Sequence, residues 1–257
     1  KVIMTRILTI PEDKAWKMDK KIRGACPACL ISNIKHDVSR APIPKTTVNL
    51  YRLHADTVKI DPPVHGTSYL LFIRDEASGF VIVHRLKTMD QIPAVFETLK
   101  EYLFSRHPTP GYGSDLRIHC IHSDQGTEFM NEKFQEMCRR NKIHHDTSAP
   151  YNHQQNSYVE RAIGAIKEIR RAIEYTANTP ASMQVYATIH AALLYNITPR
   201  KKVNGILRTP YSLLYGHEAD LGPIQPFGCL CSAYMEEDLR GGKSMNRGLS
   251  TVYLGPA

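Results

Sequence analysis

The stretch "DLRIHCIHSDQGTEFMNEKFQEMCRRNKIHHDTSAP", residues 115–150, decides the fold. It begins with a short apolar run that ends at Asp124, and this run predicts a buried strand. "NEKFQEMCRRNK" then predicts a helix, and "IHHDTSAP" predicts a second short strand. A strand, a helix and a strand in this order are typical of the parallel part of an α/β sheet.

The residues before this stretch predict an antiparallel meander. "TVNLYRLHADTVKI", 47–60, alternates in polarity and predicts a strand that ends near Asp56. "TSYLLFIRDEASGFVIVHRL", 67–86, predicts two strands joined by a turn at 77–79, and residues 90–107 have helical spacing. Two more helices are predicted over 154–177 and 182–197. The order β-β-β-α-β-α-β-α-α therefore indicates a mixed sheet of five strands flanked by helices.

Composition divides the chain into four segments. Residues 1–38 are basic and contain a Cys-x-x-Cys pair, 39–47 are an extended linker with two prolines, 48–200 form the core, and 201–257 form an extension with short strands. Residues 1–45 carry ten Lys or Arg against four Asp or Glu, within a net charge of +8. This excess predicts either a polyanion partner or a weakly folded basic arm. No run approaches the roughly 20 apolar residues that span a bilayer, so we expect no membrane partner.

Three acids stand at informative positions. Asp56 and Asp124 follow apolar strand residues, and Glu160 lies near the start of a long amphipathic helix, with 35 residues between it and Asp124. In open α/β sheets functional groups gather at the carboxyl ends of strands. Three converging carboxylates repel one another unless a cation lies between them, and Mg²⁺ or Mn²⁺ suits such oxygen ligands. Two such ions can support a phosphodiester displacement.

The helix that carries Glu160 also has a basic face. Lys167 follows Glu160 by two turns, and Arg161 and Arg170 flank the same stripe. This face predicts a contact with DNA phosphate, and a solvated basic surface is the alternative. The polar segment before the helix predicts either a DNA-contacting loop or an ordinary capping turn. Its candidate residues are Tyr151, Asn152, Gln154, Gln155 and Asn156.

These motifs resemble the integrases of Ty/copia-type LTR retrotransposons and of retroviruses. "HSDQGTEF" is similar to the segment around the second acid of their DDE motif, in which 35 residues separate the last two acids. "PYNHQQNSYVER" is similar to the segment that ends on the third acid. "TPYSLLYGHEADLGPIQPFGCLCSAY", 209–234, resembles a region of copia-type polyproteins. The sequence departs from the family pattern at Gln125, Ser157, Ile163 and Gly164.

The resemblance implies a ribonuclease H-like fold and an integrase. Such an enzyme joins the 3′ ends of element cDNA to target DNA by in-line transesterification, with or without trimming of the ends. Asp56, Asp124 and Glu160 would be the catalytic residues and would hold two Mg²⁺ or Mn²⁺ ions. The implied partners are cDNA ends, target DNA, further copies of the chain in a dimer or tetramer, and a host tethering factor. The implied locations are the nucleus and cytoplasmic virus-like particles.

The pair Cys26 and Cys29 has the spacing of half a tetrahedral zinc site. By the resemblance, these residues would be the second half of a His-His-Cys-Cys domain, and no histidine precedes them in this sequence. We therefore expect residues 1–38 to be the C-terminal part of a truncated zinc-binding domain.

Two other functions stay open from the sequence. A ribonuclease H-like nuclease would hydrolyse nucleic acid with the same three acids. A host-adopted, inactive integrase would instead act as a DNA-binding scaffold. The triad does not separate these functions from strand transfer.

Overall fold

The structure, a computed structural model, describes residues 45–106, 118–147, 157–236 and 246–256. All of these belong to the unit Ile43–Ala257. The predicted zinc-binding segment 1–38, with Cys26 and Cys29, lies outside the described residues. The predicted domain boundaries therefore stay predictions.

The core is a mixed sheet of five strands in the order β3-β2-β1-β4-β5. β1 pairs antiparallel with β2, β2 pairs antiparallel with β3, and the pairs β1–β4 and β4–β5 are parallel. This is the meander followed by a parallel addition that the element order predicts. The strands are β1 Arg52–Val64, β2 Thr67–Asp75, β3 Val81–Leu86, β4 Cys120–Ser123 and β5 His144–Thr147.

The prediction that the first strand ends near Asp56 is wrong. β1 continues for eight residues beyond Asp56, because β2 pairs with it from Leu53 opposite Asp75 to Lys59 opposite Tyr69 and again at Val64. Asp56 itself lies opposite Phe72 in mid-strand. Only the parallel neighbour β4 ends at this level, so one acid lies within a strand and the other follows a strand end.

Two layers of helices cover the sheet. α1 Ile92–Arg106 and α3 Glu132–Arg140 lie on one face, where Leu53, Ala55 and Ile121 contribute to the core. α4 Ser157–Ala177 and α5 Gln184–Ile197 lie on the other face, where Ile60 and Phe72 contribute. Successive strand residues point to opposite faces, so Arg52, His54 and Asp56 share the face that α4 covers.

The apolar spacing of the long helix is confirmed by its burial. In α4 four of the six predicted apolar positions, Val159, Ala162, Ile163 and Ile166, are buried. The other two, Ile169 and Ile173, are partly buried and pack against the same core. α5 buries eight side chains, so this helix packs into the core. No helix among the described residues is long and apolar enough to cross a membrane.

The remaining elements are short. α2 Thr127–Met130 directly follows β4 and its loop, and α6 Pro210–Tyr215 buries Leu214 against the α1 side of the sheet. Two antiparallel hairpins, β6 Lys201–Val203 with β7 Ile206–Arg208 and β8 Leu230–Tyr234 with β9 Gly248–Val252, complete the described part. The short strands predicted for the C-terminal extension are therefore present.

Candidate active site

Asp56 is held in the middle of the sheet. β2 pairs with Asp56 and with the residues before and after it. Oδ1 of Asp56 accepts a hydrogen bond of 2.8 Å from the backbone N–H of Thr57. Burial, together with the smaller effect of the nearby carboxylates of Asp124, Glu160 and Glu128, raises the pKa of Asp56 to about 6. The hydrogen bond from Thr57 acts in the opposite direction. Asp56 is therefore a half-buried acid at a point where four carboxylates meet.

Asp124 reaches this point from the neighbouring strand. His54 of β1 and His122 of β4 are register partners, so the next residue on the same face is Asp56 in β1 and Asp124 just beyond β4. Asp124 is exposed, and its Oδ1 accepts a 3.0 Å hydrogen bond from the backbone N–H of Gly126. The parallel pairing thus brings the two predicted aspartates together.

Glu160 comes from the first turn of α4. The adjacent Val159 is fully buried and anchors that turn on the sheet, while the side chain of Glu160 is exposed. Its charge acts on Asp56, so the helix delivers the third predicted acid to the same point. Three elements that are distant in sequence therefore converge as the motif predicted.

A fourth carboxylate, Glu128, was missed by the sequence reasoning. Its Oε1 accepts a 2.7 Å hydrogen bond from the hydroxyl of Thr57, the residue that follows Asp56. A Cβ at Gly126 would lie 2.5 Å from Oε2 of Glu128 and 3.0 Å from Oδ1 of Asp124. The only available signal was the position of this glutamate in "HSDQGTEF", within the short helix that follows Asp124.

The donor set fits a hard divalent cation, since carboxylate oxygens are the ligands that Mg²⁺ and Mn²⁺ prefer. No salt bridge among the described residues neutralises Asp56, Asp124 or Glu160. Within the same residues, no three His, Cys, Asp or Glu side chains already form a group that could hold a metal ion. The acids are thus close enough to affect the pKa of Asp56, but their side chains are not arranged around a common metal position.

The predicted DNA contacts divide into three groups. Arg161 and Lys167 of α4 are exposed, as a DNA-facing surface requires. Arg170 is mostly covered and pairs with Glu174 at 3.5 Å, so it already has an anionic partner. The loop residues lie outside the described part of the chain; they are Tyr151, Asn152, Gln154, Gln155 and Asn156.

The structure shows the surroundings of Ile163 and Gly164, the two positions on α4 where the sequence departs from the family pattern. Ile163 is buried in the core beneath α4, and its position therefore cannot present a polar group to DNA. Gly164 is exposed, and nothing lies within 4 Å of a Cβ added there.

A cavity of about 220 Å³ adjoins the acids on the same face of the sheet. Its lining is polar and aromatic: Lys45, Arg52, His54, Glu76, His122, Asp146 and Tyr158. Glu76 Oε2 lies 3.2 Å from His54 Nε2, and burial lowers the pKa of His54 to about 4. The ring of His54 is therefore neutral at pH 7. Sequence reasoning did not detect this cavity, because its members are scattered over more than a hundred positions.

Comparison with known proteins gives consistent matches. Residues 49–153 match the model of the integrase core domain. The chain is 26% identical over 190 residues to the "Retrovirus-related Pol polyprotein from transposon TNT 1-94" of Nicotiana tabacum, which is 74% of this chain and 14% of that polyprotein. It is 26% identical over 205 residues to the Pro-Pol polyprotein of simian foamy virus type 3, which is 78% of this chain and 16% of the other.

A solved structure shares the fold. A chain of the simian T-cell lymphotropic virus intasome, solved in complex with PP2A regulatory subunit B56 gamma, superposes with a TM-score of 0.55 at 20% identity. The match covers 95% of this chain and 82% of that chain. The observed sheet order, the three converging acids and these matches agree with the resemblance seen in the motifs. Residues 49–153 thus match an integrase core domain, and the chain is similar to Pol polyproteins of retrotransposons and retroviruses.

Proposed function

We propose that this chain catalyses strand transfer, joining the 3′ ends of a copia-type retrotransposon cDNA to target DNA. The observation that carries the proposal is the convergence of Asp56, Asp124 and Glu160 from three elements. The carboxylates of Asp124 and Glu160 lie close enough to raise the pKa of Asp56. The chain spans about a seventh of the tobacco polyprotein that it matches.

Asp56, Asp124 and Glu160 would hold Mg²⁺ or Mn²⁺. Two such ions, when bound, supply the positive charge that stabilises the attacking 3′ oxygen and the leaving oxygen of the target phosphodiester. The residues themselves fix the geometry. The Thr57 N–H orients Asp56, the Gly126 N–H orients Asp124, and the buried Val159 seats the turn that carries Glu160.

The exposed basic face of α4 would bind DNA phosphate. Arg161 and Lys167 lie within two turns of Glu160, and the chain carries a net charge of +8. Phosphate contacts position DNA without reading its sequence, as a target-tolerant enzyme requires. The loop from Tyr151 to Asn156 precedes Glu160 and would meet the end of the cDNA. Arg170 would contact DNA only if its ion pair with Glu174 were replaced by a contact with phosphate.

The remaining expectations follow from the family and stay proposals. The chain would act as a dimer or tetramer on two cDNA ends, with a host factor as the tether to its target. It would act in the nucleus after assembly in cytoplasmic virus-like particles. Cys26 and Cys29 would contribute two thiolate ligands to a Zn²⁺ site.

A strand-transfer assay tests the proposal. The chain is incubated with a labelled duplex of the element end, a plasmid and Mg²⁺ or Mn²⁺, and joined products are quantified. Asp124→Asn should lower product formation by at least about 10²-fold, because it removes a charged ligand from the reacting centre. The matched control is Asp220→Asn. Asp220 is also exposed and also accepts a 3.0 Å hydrogen bond from the glycine two residues on.

The outcomes separate the competing functions. Joined products that require Asp124 and tolerate Asp220→Asn support an integrase. Nicked plasmid without joined product would instead identify a ribonuclease H-like nuclease. Host or element function that survives Asp124→Asn unchanged would identify a scaffold.

A further inference from the structure

The cavity beside the acids has a regular relation to them. His54, His122 and Tyr158 line it, and they precede Asp56, Asp124 and Glu160 by two positions each. In the strands two residues make one pleat, so His54 and His122 lie roughly 7 Å behind the two aspartates on the same face. In α4 both Tyr158 and Glu160 belong to the first turn. Each catalytic element thus contributes one acid to the site and one ring to the cavity.

The three rings, which we call the ring cluster, are in contact. The centroids of His54 and His122 are 5.2 Å apart with planes at 58°. His54 and Tyr158 stack with centroids 5.2 Å apart and planes at 20°. His54 is therefore the centre of the cluster and joins β1 both to β4 and to α4.

Each ring is held from outside by a charged residue of another element. Glu76 Oε2 lies 3.2 Å from His54 Nε2, and Asp146 Oδ2 lies 3.1 Å from His122 Nδ1. Arg74 donates a hydrogen bond to the backbone carbonyl of Tyr158, and its guanidinium lies over the Tyr158 ring at 5.4 Å. Both histidines and Glu76 are buried, so the contact between His54 and Glu76 is shielded from solvent, whereas the side chain of Asp146 is 43% exposed.

The contacts of the ring cluster oppose the repulsion between the three acids. The carboxylates of Asp56, Asp124 and Glu160 repel one another, and no salt bridge of the described residues compensates them. Without a bound cation, that repulsion favours separation of the three elements. Stacked, buried rings tethered to Glu76, Asp146 and Arg74 oppose the separation and add no negative charge at the acids themselves.

We propose that the ring cluster is a positioning device that fixes the three acids relative to one another before metal binds. This inference rests on the proposed function, because it assigns the acids to a shared metal site. His54, His122 and Tyr158 are positioning residues and do not touch the reacting atoms. Loss of a ring should therefore weaken metal binding and loosen the first turn of α4, while the core stays folded.

The variants are Tyr158→Leu and Tyr158→Phe in the full chain. Tyr186→Leu is the matched control. Tyr186 is also half-buried, lies under an arginine at 5.4 Å and contacts a histidine ring at 5.7 Å, and it lies on α5 away from the acids. His54→Gln is a second test, because it keeps an N–H donor for Glu76 and removes the central ring.

Two readouts are independent of catalysis. Calorimetric titration with Mn²⁺ should give a dissociation constant about 10-fold or more higher for Tyr158→Leu and His54→Gln than for wild type. Tyr158→Phe, which retains the ring, and Tyr186→Leu should stay within about twofold of wild type. Hydrogen exchange of the metal-free chain should accelerate in the first turn of α4 for Tyr158→Leu and not for Tyr186→Leu.

The results separate this inference from the proposed function. Wild-type protein that binds no Mn²⁺ and joins no DNA would overturn the proposed function. Wild-type activity together with equal Mn²⁺ affinity and equal exchange in Tyr158→Leu and Tyr186→Leu would overturn the ring cluster alone. If Tyr158→Leu fails to fold, Mn²⁺ affinity and hydrogen exchange are compared between His54→Gln and Tyr186→Leu instead, and equal values would overturn the ring cluster.

Discussion

Gly126 shows at the scale of one residue how tightly the acids are placed. It lies between Asp124 and Glu128, and the carboxylates of both approach the point where a Cβ would stand. Its φ of −56° is open to any residue, so glycine is favoured here by the limited space and not by backbone conformation. The sequence indicated Asp124 because an apolar run ends there. It could not indicate the crowding by Glu128, which depends on a side chain that folds back from the next helix.

Gly126→Ala should reduce strand transfer by more than about tenfold, because the added methyl group displaces two carboxylates and small misplacements at a reacting centre are costly. Both obstructing atoms are flexible side-chain ends, so the unfolding free energy should change little. Activity is measured by joined product and stability by urea unfolding.

Gly222→Ala is the control for this change. Its Cβ would lie 3.3 Å from Oδ1 of Asp220, in the same type of turn and away from the acids. Equal activity of the two alanine variants would contradict the crowding argument.

Asn196 shows what an element needs beyond its own sequence pattern. Near the end of α5, its side chain donates a 2.7 Å hydrogen bond to the carbonyl of Val81 and accepts a 2.9 Å bond from the Val81 N–H. The amide thus acts as an extra strand partner on the outer side of β3, the edge strand. Periodicity predicted both elements correctly. It could not predict that a polar residue of the helix would complete the sheet, because the two positions are 115 residues apart.

Asn196→Leu should lower the unfolding free energy by about 3 kcal/mol, because it leaves a buried N–H and a buried C=O without partners. Urea unfolding at pH 7.5 measures the loss. Thr198→Val is the comparison, since it removes one exposed hydrogen bond to Leu194 and should cost less than about 1 kcal/mol. If Asn196→Leu lowers the unfolding free energy no more than Thr198→Val does, water replaces the two hydrogen bonds between Asn196 and Val81.

His190 connects the core to the C-terminal extension at the scale of the whole molecule. It lies on α5 and contacts the rings of Phe227 and Tyr253, with centroids at 5.5 Å and 5.9 Å. It is buried, its Nδ1 has no hydrogen-bond partner among the described residues, and burial lowers its pKa. The extension is therefore packed on the core through a histidine whose neutral form is favoured by burial.

The contribution of His190 to stability should decrease as the pH falls. A histidine whose pKa is lower in the folded state binds protons preferentially when unfolded, so its contribution is lost below the unfolded pKa of about 6.5. Between pH 7.5 and 5.5, His190→Leu should therefore lose less unfolding free energy than wild type. Urea unfolding at both pH values measures this difference. Identical losses in the two proteins would show that His190 is protonated without disrupting the packing.

The sequence by itself determined the class of fold and the helix that carries Glu160, and it predicted the three acids. These follow from local periods and fixed spacings, which are written into consecutive residues. Only the tertiary structure decided that Asp56 lies in mid-strand, that Glu128 joins the acids and that His54, His122 and Tyr158 meet behind them. Strand length is set by the partner strand, and side-chain contacts are set by the register and helix placement. Neither quantity has a local signal, because both depend on residues that are distant in the chain.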